Sequence, residues 1–203
     1  MRSSGLPANS SPLLVVDASV VINLNATGRA RDIIAVLPYR VVVTSVVLAE
    51  LTAGAIRGHE DAKKLQLLLD GGDIDLVELS SLASEIYASL VGGAAIDTLD
   101  DGEASTIAFA SVTGAIAAID ERKARRICAS RFSGLQIVWT IDLLLDEAIT
   151  VGLGREEQAD AVFNALQLAR MRVPHEYLDK ILKLIGRERA AQCRSLPKTS
   201  LGF

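Results

Sequence analysis

Leu13-Leu14-Val15-Val16-Asp17-Ala18-Ser19 sets four apolar residues directly ahead of a carboxylate and a hydroxyl, and Val20-Val21-Ile22 resumes the apolar run at once. A short continuous apolar run of this kind fits a strand buried on both faces. In an open α/β sheet the groups just past such a strand's carboxyl end line the crevice where ligands bind. Asp17 or Ser19 equally suits the N-cap of the helix after the strand, because either side chain accepts from its unpaired N–H groups. Both readings stay open on this stretch alone, so the question becomes whether other carboxylates reach the same edge.

Working outward, β-branched Arg40-Val41-Val42-Val43-Thr44 reads as a second strand. Ser45 is the expected cap of a helix carrying Leu48, Ala49, Glu50 and Leu51. Ala115 to Asp120 reads as a further buried strand ending in a carboxylate, as the first one does, and Gln136 to Trp139 as the last. A weakly alternating stretch, Ile74 to Leu79, completes the strands. Helical spacing fills the gaps: residues 20–24, 31–37, 60–69, 84–91 (broken by Gly92-Gly93), 104–111, 121–129 and 142–151. Strands alternating with helices predict an α/β/α sandwich on a mostly parallel sheet, with a C-terminal helical extension. The expected organisation is a disordered leader over 1–12, a catalytic domain over 13–153, a helical hairpin over 154–190 packed on it, and a flexible tail over 191–203, with fraying from Arg187.

The totals bound the function. At 203 residues with 50% hydrophobic content, the chain is long enough for one full core. Its apolar runs are broken by charge before they reach the roughly 18 to 20 residues of a membrane span, and the leader lacks a signal peptide's apolar stretch. Two distant cysteines, Cys128 and Cys193, suggest neither a disulfide framework nor a zinc site. A cytoplasmic location, with no membrane partner, is expected. Seven basic and fifteen acidic residues up to Asp120 leave a front of −8, while fourteen basic and ten acidic beyond it leave a rear of +4. An acidic front beside a basic rear suits a metal-dependent enzyme acting on a polyanion, though ordinary solvated surface produces such counts too.

The acids then form a pattern. Asp17 and Asp120 end strands, while Glu50 and Glu103 lie near the starts of helices, and in a parallel sheet all four fall on one edge. Crowded carboxylates repel one another and need a cation unless protonated. Oxygen-only ligands select a hard ion, Mg²⁺ or Mn²⁺, over zinc. Each acid also has a local explanation: Asp100 with Glu103 resembles a capping box, Glu50 can be a solvated helix residue, and Asp120 can cap the basic helix after it. Four coincidences on one edge favour a metal site. With only His59 and His175, a nucleophilic triad has little material. No GxxxxGK[ST] or GxGxxG string is present, which leaves a P-loop and a dinucleotide site without support.

Val15-Val16-Asp17-Ala18-Ser19-Val20-Val21-Ile22, with Ser45-Val46-Val47-Leu48-Ala49-Glu50-Leu51 after it, resembles the opening of PIN-domain nucleases. Gly102 to Ala110 resembles that family's third motif and Ala118 to Arg125 its fourth. The resemblance runs from Leu13 to Leu153, and the C-terminal segment looks like the extra helices of one subgroup. It implies a Mg²⁺- or Mn²⁺-dependent endoribonuclease selective for single-stranded RNA, with Asp17, Glu50, Glu103 and Asp120 as catalytic and metal-binding acids. Ser19 would orient the first acid or a water, with Asp100, Asp101 and Glu121 in support. Glu103 stands where the family more often has Asp, so Asp100 and Asp101 remain alternative third ligands. Arg122, Lys123, Arg125 and Arg126 would hold the RNA backbone. Many relatives are toxins of toxin–antitoxin pairs and form homodimers, which makes a second copy and an antitoxin the implied partners. The competing class is a catalytically silent PIN-like binding module, against which the intact four-acid set speaks. An aspartyl-phosphate enzyme lacks its Asp-x-Asp start, since Ser19 holds the second position. The apolar faces of Val162, Leu166, Ala169 and of Leu178, Ile181, Leu182, Ile185 either cover the sheet's edge or a dimer partner, the favoured reading, or receive a partner's helix.

Overall fold

A computed structural model describes residues 11–55, 58, 60–92 and 98–197. Most of the expected leader, the Gly93 half of the Gly92-Gly93 break and the end of the tail fall outside those residues. Strands β1 (Leu13–Val16), β2 (Arg40–Thr44), β3 (Asp75–Val77), β4 (Ile116–Ala118) and β5 (Ile137–Val138) form one sheet in the order β3-β2-β1-β4-β5. Every pairing is parallel. Side chains alternate across the sheet as strand geometry requires. Leu14, Val16, Val41, Val43, Ile116 and Ala118 join one core, while Val15, Val42, Ala117 and Ile119 join the other. Burial on both faces is why β1 and β2 read as unbroken apolar runs.

Helices α1 (Ala18–Ala26), α2 (Ala30–Val36), α3 (Ser45–Ala55) and α4 (Asp61–Asp70) cover the first face. Helices α5 (Ser81–Val91), α6 (Asp101–Thr113) and α7 (Arg122–Arg131) cover the second. The expected sandwich is therefore the observed architecture. The path of the chain decides where a ligand can meet the sheet. From β1 the strands proceed outward through β2 to β3, and then the chain returns to place β4 on the other side of β1. The crevice at the carboxyl ends of β1 and β4 is the switch point of such a sheet, the usual ligand position.

Several local expectations change. Thr44, not Ser45, caps α3: its Oγ1 accepts from the Val47 N–H at 3.2 Å. The helix expected over 142–151 is two, α8 (Thr140–Leu144) and α9 (Glu147–Leu153), because the Asp146 carboxylate accepts from the Ala148 N–H and starts a new helix. Beyond it run α10 (Arg155–Leu168), a 3-10 turn (His175–Tyr177), α11 (Leu178–Ile185) and α12 (Arg187–Gln192). The fraying expected from Arg187 is corrected by α12 and the residues just after it: Ala190, Cys193 and Leu196, at a period of three, are buried in the first core.

The extension shares that same core. Val162, Leu166, Leu178, Ile181 and Ile185 are buried with β1, and α10 packs on α1, α9 and α11. The partner-helix reading of these faces is thereby overturned, because the chain's own core occupies them; only Ala169 and Leu182 stay half-buried. Among the described residues no helix is long and apolar enough to cross a membrane.

Candidate active site

β1 hands the chain directly to Asp17, whose N–H donates to the Ala118 carbonyl of β4 at 3.3 Å. This stitches the two strand ends together and brings Asp17 and Asp120 to the same crevice. Asp17 is buried, and it is also the N-cap of α1: its Oδ1 accepts from the Val20 N–H at 2.8 Å. The residue therefore caps a helix and stands at the switch point at once. The Ser19 hydroxyl donates to Oδ1 at 2.9 Å and, more loosely, to Oδ2 at 3.2 Å.

Asp120 is buried too, but it does not cap the basic helix. Glu121 does so, accepting from the Lys123 N–H at 3.4 Å. Asp120 instead reaches the start of α8. Its Oδ1 accepts from the Thr140 N–H at 2.8 Å, and its Oδ2 accepts from the Thr140 hydroxyl at 2.5 Å and from Asn23 Nδ2 at 2.7 Å. A carboxylate has about four lone-pair sites, so these donors fix its plane and leave one site open. Sequence reasoning missed Asn23 and Thr140. The available signal was an Asn inside an apolar helix and a Thr just past the last strand.

The helix-borne acids are held differently. Glu103 reaches back to the Asp100 N–H, which is half of the anticipated capping box; the Asp100 side chain makes no cap of its own. Glu50, on the exposed side of α3, accepts from the Gly102 N–H at the start of α6. That approach needs glycine, since a Cβ at Gly102 would stand 2.3 Å from Glu50 Oε2. A buried hydroxyl pair, Thr44 Oγ1 and Ser105 Oγ at 2.8 Å, ties the end of β2 to α6, and Ser105 also donates to the Gly102 carbonyl at 2.9 Å. These bonds set the spacing between α3 and α6.

A cavity of about 300 Å³ opens on this edge, lined in part by Ser19, Asn23, Glu103, Asp120 and Glu121. Asp17 lies behind Ser19, and Glu50 lies outside with Asp100 and Asp101 near it. The acids are nonetheless electrically joined. Burial pushes the Asp17 carboxyl from its ordinary 3.8 up to about 8, aided by Asp120 and Glu103. Burial and then the nearby Asp100 and Glu121 push Glu103 up to about 7, with a smaller push from Glu50. Burial raises Asp120 as well, opposed by its three hydrogen bonds. Glu50 is raised by burial and by Asp100 and Asp101. Asp101 itself accepts from the Tyr87 hydroxyl at 2.7 Å.

Among the described residues no three His, Cys, Asp or Glu side chains already stand close enough together to grip an ion. The donor chemistry does fit a hard divalent cation: Asp17 with Asp120 and Glu103 near enough to repel it, an adjacent hydroxyl and no nitrogen or sulfur ligand. A cation among them would offset both the burial of their charge and the repulsion that Asp17 feels from Asp120 and Glu103.

The basic helix divides. Arg122 and Arg126 are exposed and Lys123 is half-buried. Arg125 turns inward instead. Its guanidinium donates to the Ile119 carbonyl at 3.2 Å and the Ile137 carbonyl at 3.4 Å, and it lies 3.9 Å from the centre of the Trp139 ring. It fastens the ends of β4 and β5. Trp139 N–H donates to Asp142 at 2.9 Å, and the Tyr177 hydroxyl donates to the same carboxylate, so the extension is anchored beside the site. Glu121 pairs with Arg172 of that extension at 3.1 Å.

The family model DUF3368, a PIN domain, matches residues 13–187. No curated protein matches the chain. The matched span takes in the sheet, the acid crevice and the helices through α11.

Proposed function

The chain belongs to the PIN-domain family, whose members are typically nucleases, and on that premise we propose that it is a Mg²⁺- or Mn²⁺-dependent endoribonuclease acting on single-stranded RNA. The observation that carries the reading is the pair of buried carboxylates, Asp17 and Asp120, at the carboxyl ends of adjacent parallel strands. Burying two such acids is costly, and their proton affinities stay raised even though hydrogen bonds and the nearby Arg125 oppose the rise at Asp120. A site that binds divalent ions gives the arrangement a use.

Asp17, Asp120 and Glu103 would hold the ion, which when bound activates a water and neutralises the charge of the phosphodiester. The chain's own groups supply the order. Ser19 holds the Asp17 carboxylate, and Asn23 with Thr140 holds that of Asp120, so both are preorganised. Glu103 lines the cavity, its carboxyl raised to about 7 by burial and the nearby Asp100 and Glu121, and binding the ion would hold it in its charged form. Glu50 braces the start of α6 from the outer side. Arg125 serves the fold in this reading, leaving Arg122, Lys123 and Arg126 on the rim for the RNA backbone. A second copy of the chain and an antitoxin remain the partners that the family resemblance suggests. An antitoxin would have to use a surface other than the buried faces of α10 and α11.

The test is cleavage of a mixed single-stranded RNA pool by the full chain, with Mn²⁺ and with a chelator. Cleavage that needs Mn²⁺ and disappears in Asp17→Asn, with the variant folded, is the expected result. Cleavage surviving in Asp17→Asn rejects the assignment. Manganese producing no binding heat in the wild-type protein would favour the silent binding module.

A further inference from the structure

The basic rear of the sequence folds back beside the acidic front. Three openings adjoin at this point. The carboxylate cavity shares Ala169, Arg170 and Arg172 with a hollow of about 510 Å³, which Arg194 and Ser195 complete. A third, of about 320 Å³, shares Asp120 with the first and carries Arg122, Trp139, Arg172 and Pro174. Sharing walls, the three openings make a trough beside the acids, bordered by Arg122, Arg170, Arg194 and an Arg172 paired with Glu121. All four are exposed, and three of them come from the C-terminal extension.

We propose that this trough is a phosphate-backbone track for single-stranded RNA, through which the extension holds the strand that the acid crevice cuts. It rests on the nuclease reading and adds the residues that bind the substrate away from the cut. The cations are all arginines, whose planar forks match phosphate oxygens in pairs. Half-buried Trp139, with the Arg125 guanidinium over its ring, lines the same trough and stiffens its wall. The trough adjoins the carboxylate cavity, so one strand can lie along the arginines and reach the acids, which favours a polynucleotide over an acidic peptide.

The backbone adds a separate observation. Helix α6 ends on Gly114, at φ 73°, the usual residue for a left-handed exit. The chain leaves α10 through Arg170, at φ 54°, which among the described residues is the non-glycine residue with positive φ. A side chain disfavours that conformation. Glycine would serve the turn better, yet here the turn carries a guanidinium to the mouth of the carboxylate cavity. Met171, next in the chain, enters the core and holds the turn, its N–H donating to the Ala165 carbonyl at 3.1 Å.

The experiment measures binding of a labelled oligouridylate of about ten nucleotides to the full chain in chelator, across a salt series, so that no cleavage intervenes. Arg194→Gln and Arg170→Gly are compared with wild type. Each is expected to weaken binding several-fold and to make the slope of log K against log salt shallower by about 0.7. Arg170→Gly should keep or raise the melting temperature, because glycine relieves the turn, so its weaker binding cannot come from unfolding. In Mn²⁺, Arg194→Gln should raise KM with kcat retained. Unchanged affinity and slope in both variants overturns the track. A deca-glutamate peptide that displaces the RNA at equal concentration also overturns it, in favour of an acidic protein segment. If wild type cuts no RNA but the arginine variants still lose binding, the track stands and the nuclease reading falls.

Discussion

Two pairs of acids stand along one edge of the sheet and are built in opposite ways. Asp17 and Asp120 are short side chains on strand ends, buried, and fixed by five side-chain or backbone donations between them. Glu50 and Glu103 are longer side chains on helices, more exposed, and each is held by one backbone N–H at the start of α6. The difference teaches where precision comes from. A carboxylate on a strand end is immobilised by its neighbours, while one on a helix is left on a tether with room to move.

That contrast can be broken by substitution. Asp120→Asn should lower manganese-dependent cleavage by at least about a hundredfold, because even partners one step removed from a metal cost 10- to 100-fold. Glu50→Gln should cost about tenfold at most on the same scale. Initial rates on protein verified as folded by circular dichroism make the comparison. Equal losses would mean that the two pairs form one rigid site, with no division between fixed and tethered acids.

Stability against pH sharpens it next. Asp17 titrates near its ordinary value in the unfolded chain and at about 8 when folded. Below about pH 4 both states hold the proton and the folded protein keeps its full contribution. Between pH 4 and 8 the unfolded chain releases a proton that the folded one retains, so stability falls through that window. Glu103, raised to about 7, adds to the slope over the lower part of it. In chelator the loss from Asp17 should be on the order of a few kcal/mol, read as a falling melting temperature. Asp17→Asn should flatten the curve, and Mn²⁺ should restore stability at pH 8. A wild-type melting temperature that stays level from pH 5 to 8 would show that Asp17 ionises without penalty.

What could be read from residues alone obeys the same division. β2 appears at its observed limits, and β1 at its observed start, because both faces of those strands are buried and their apolar runs are unbroken. Asp17 and Asp120 stand out because a charge comes directly after such a run. Asn23, Thr44, Ser105 and Thr140, which hold the acids and the helices in place, are neutral and keep to no period. Their meaning lies in partners up to 97 residues away. Arg125 is one more cation on a basic helix until Trp139 and two strand carbonyls are beside it. The arginines of the trough are equally mute, since nothing local says that residues 170–194 return to the edge where residue 17 lies. The buried end of the chain escapes for another reason: Ala190, Cys193 and Leu196 are small or isolated among polar neighbours, and composition there outweighs a weak period.

The smallest effect probes the tether itself. Gly102→Ala places a methyl where the Glu50 carboxylate now sits, and a flexible glutamate end can swing aside with little strain on the backbone. Alanine in the first turn of α6 should leave the melting temperature level or raise it by an amount corresponding to about 0.5–1 kcal/mol. Cleavage should fall only a few-fold, because Glu50 loses its anchor without losing its charge. Introduced into Glu50→Ala, the same change should cost nothing further, since the two residues act through one contact. A full additive loss in the double variant would mean that Gly102 matters for another reason, such as close approach of the substrate, and the tether would then belong to Glu103 alone.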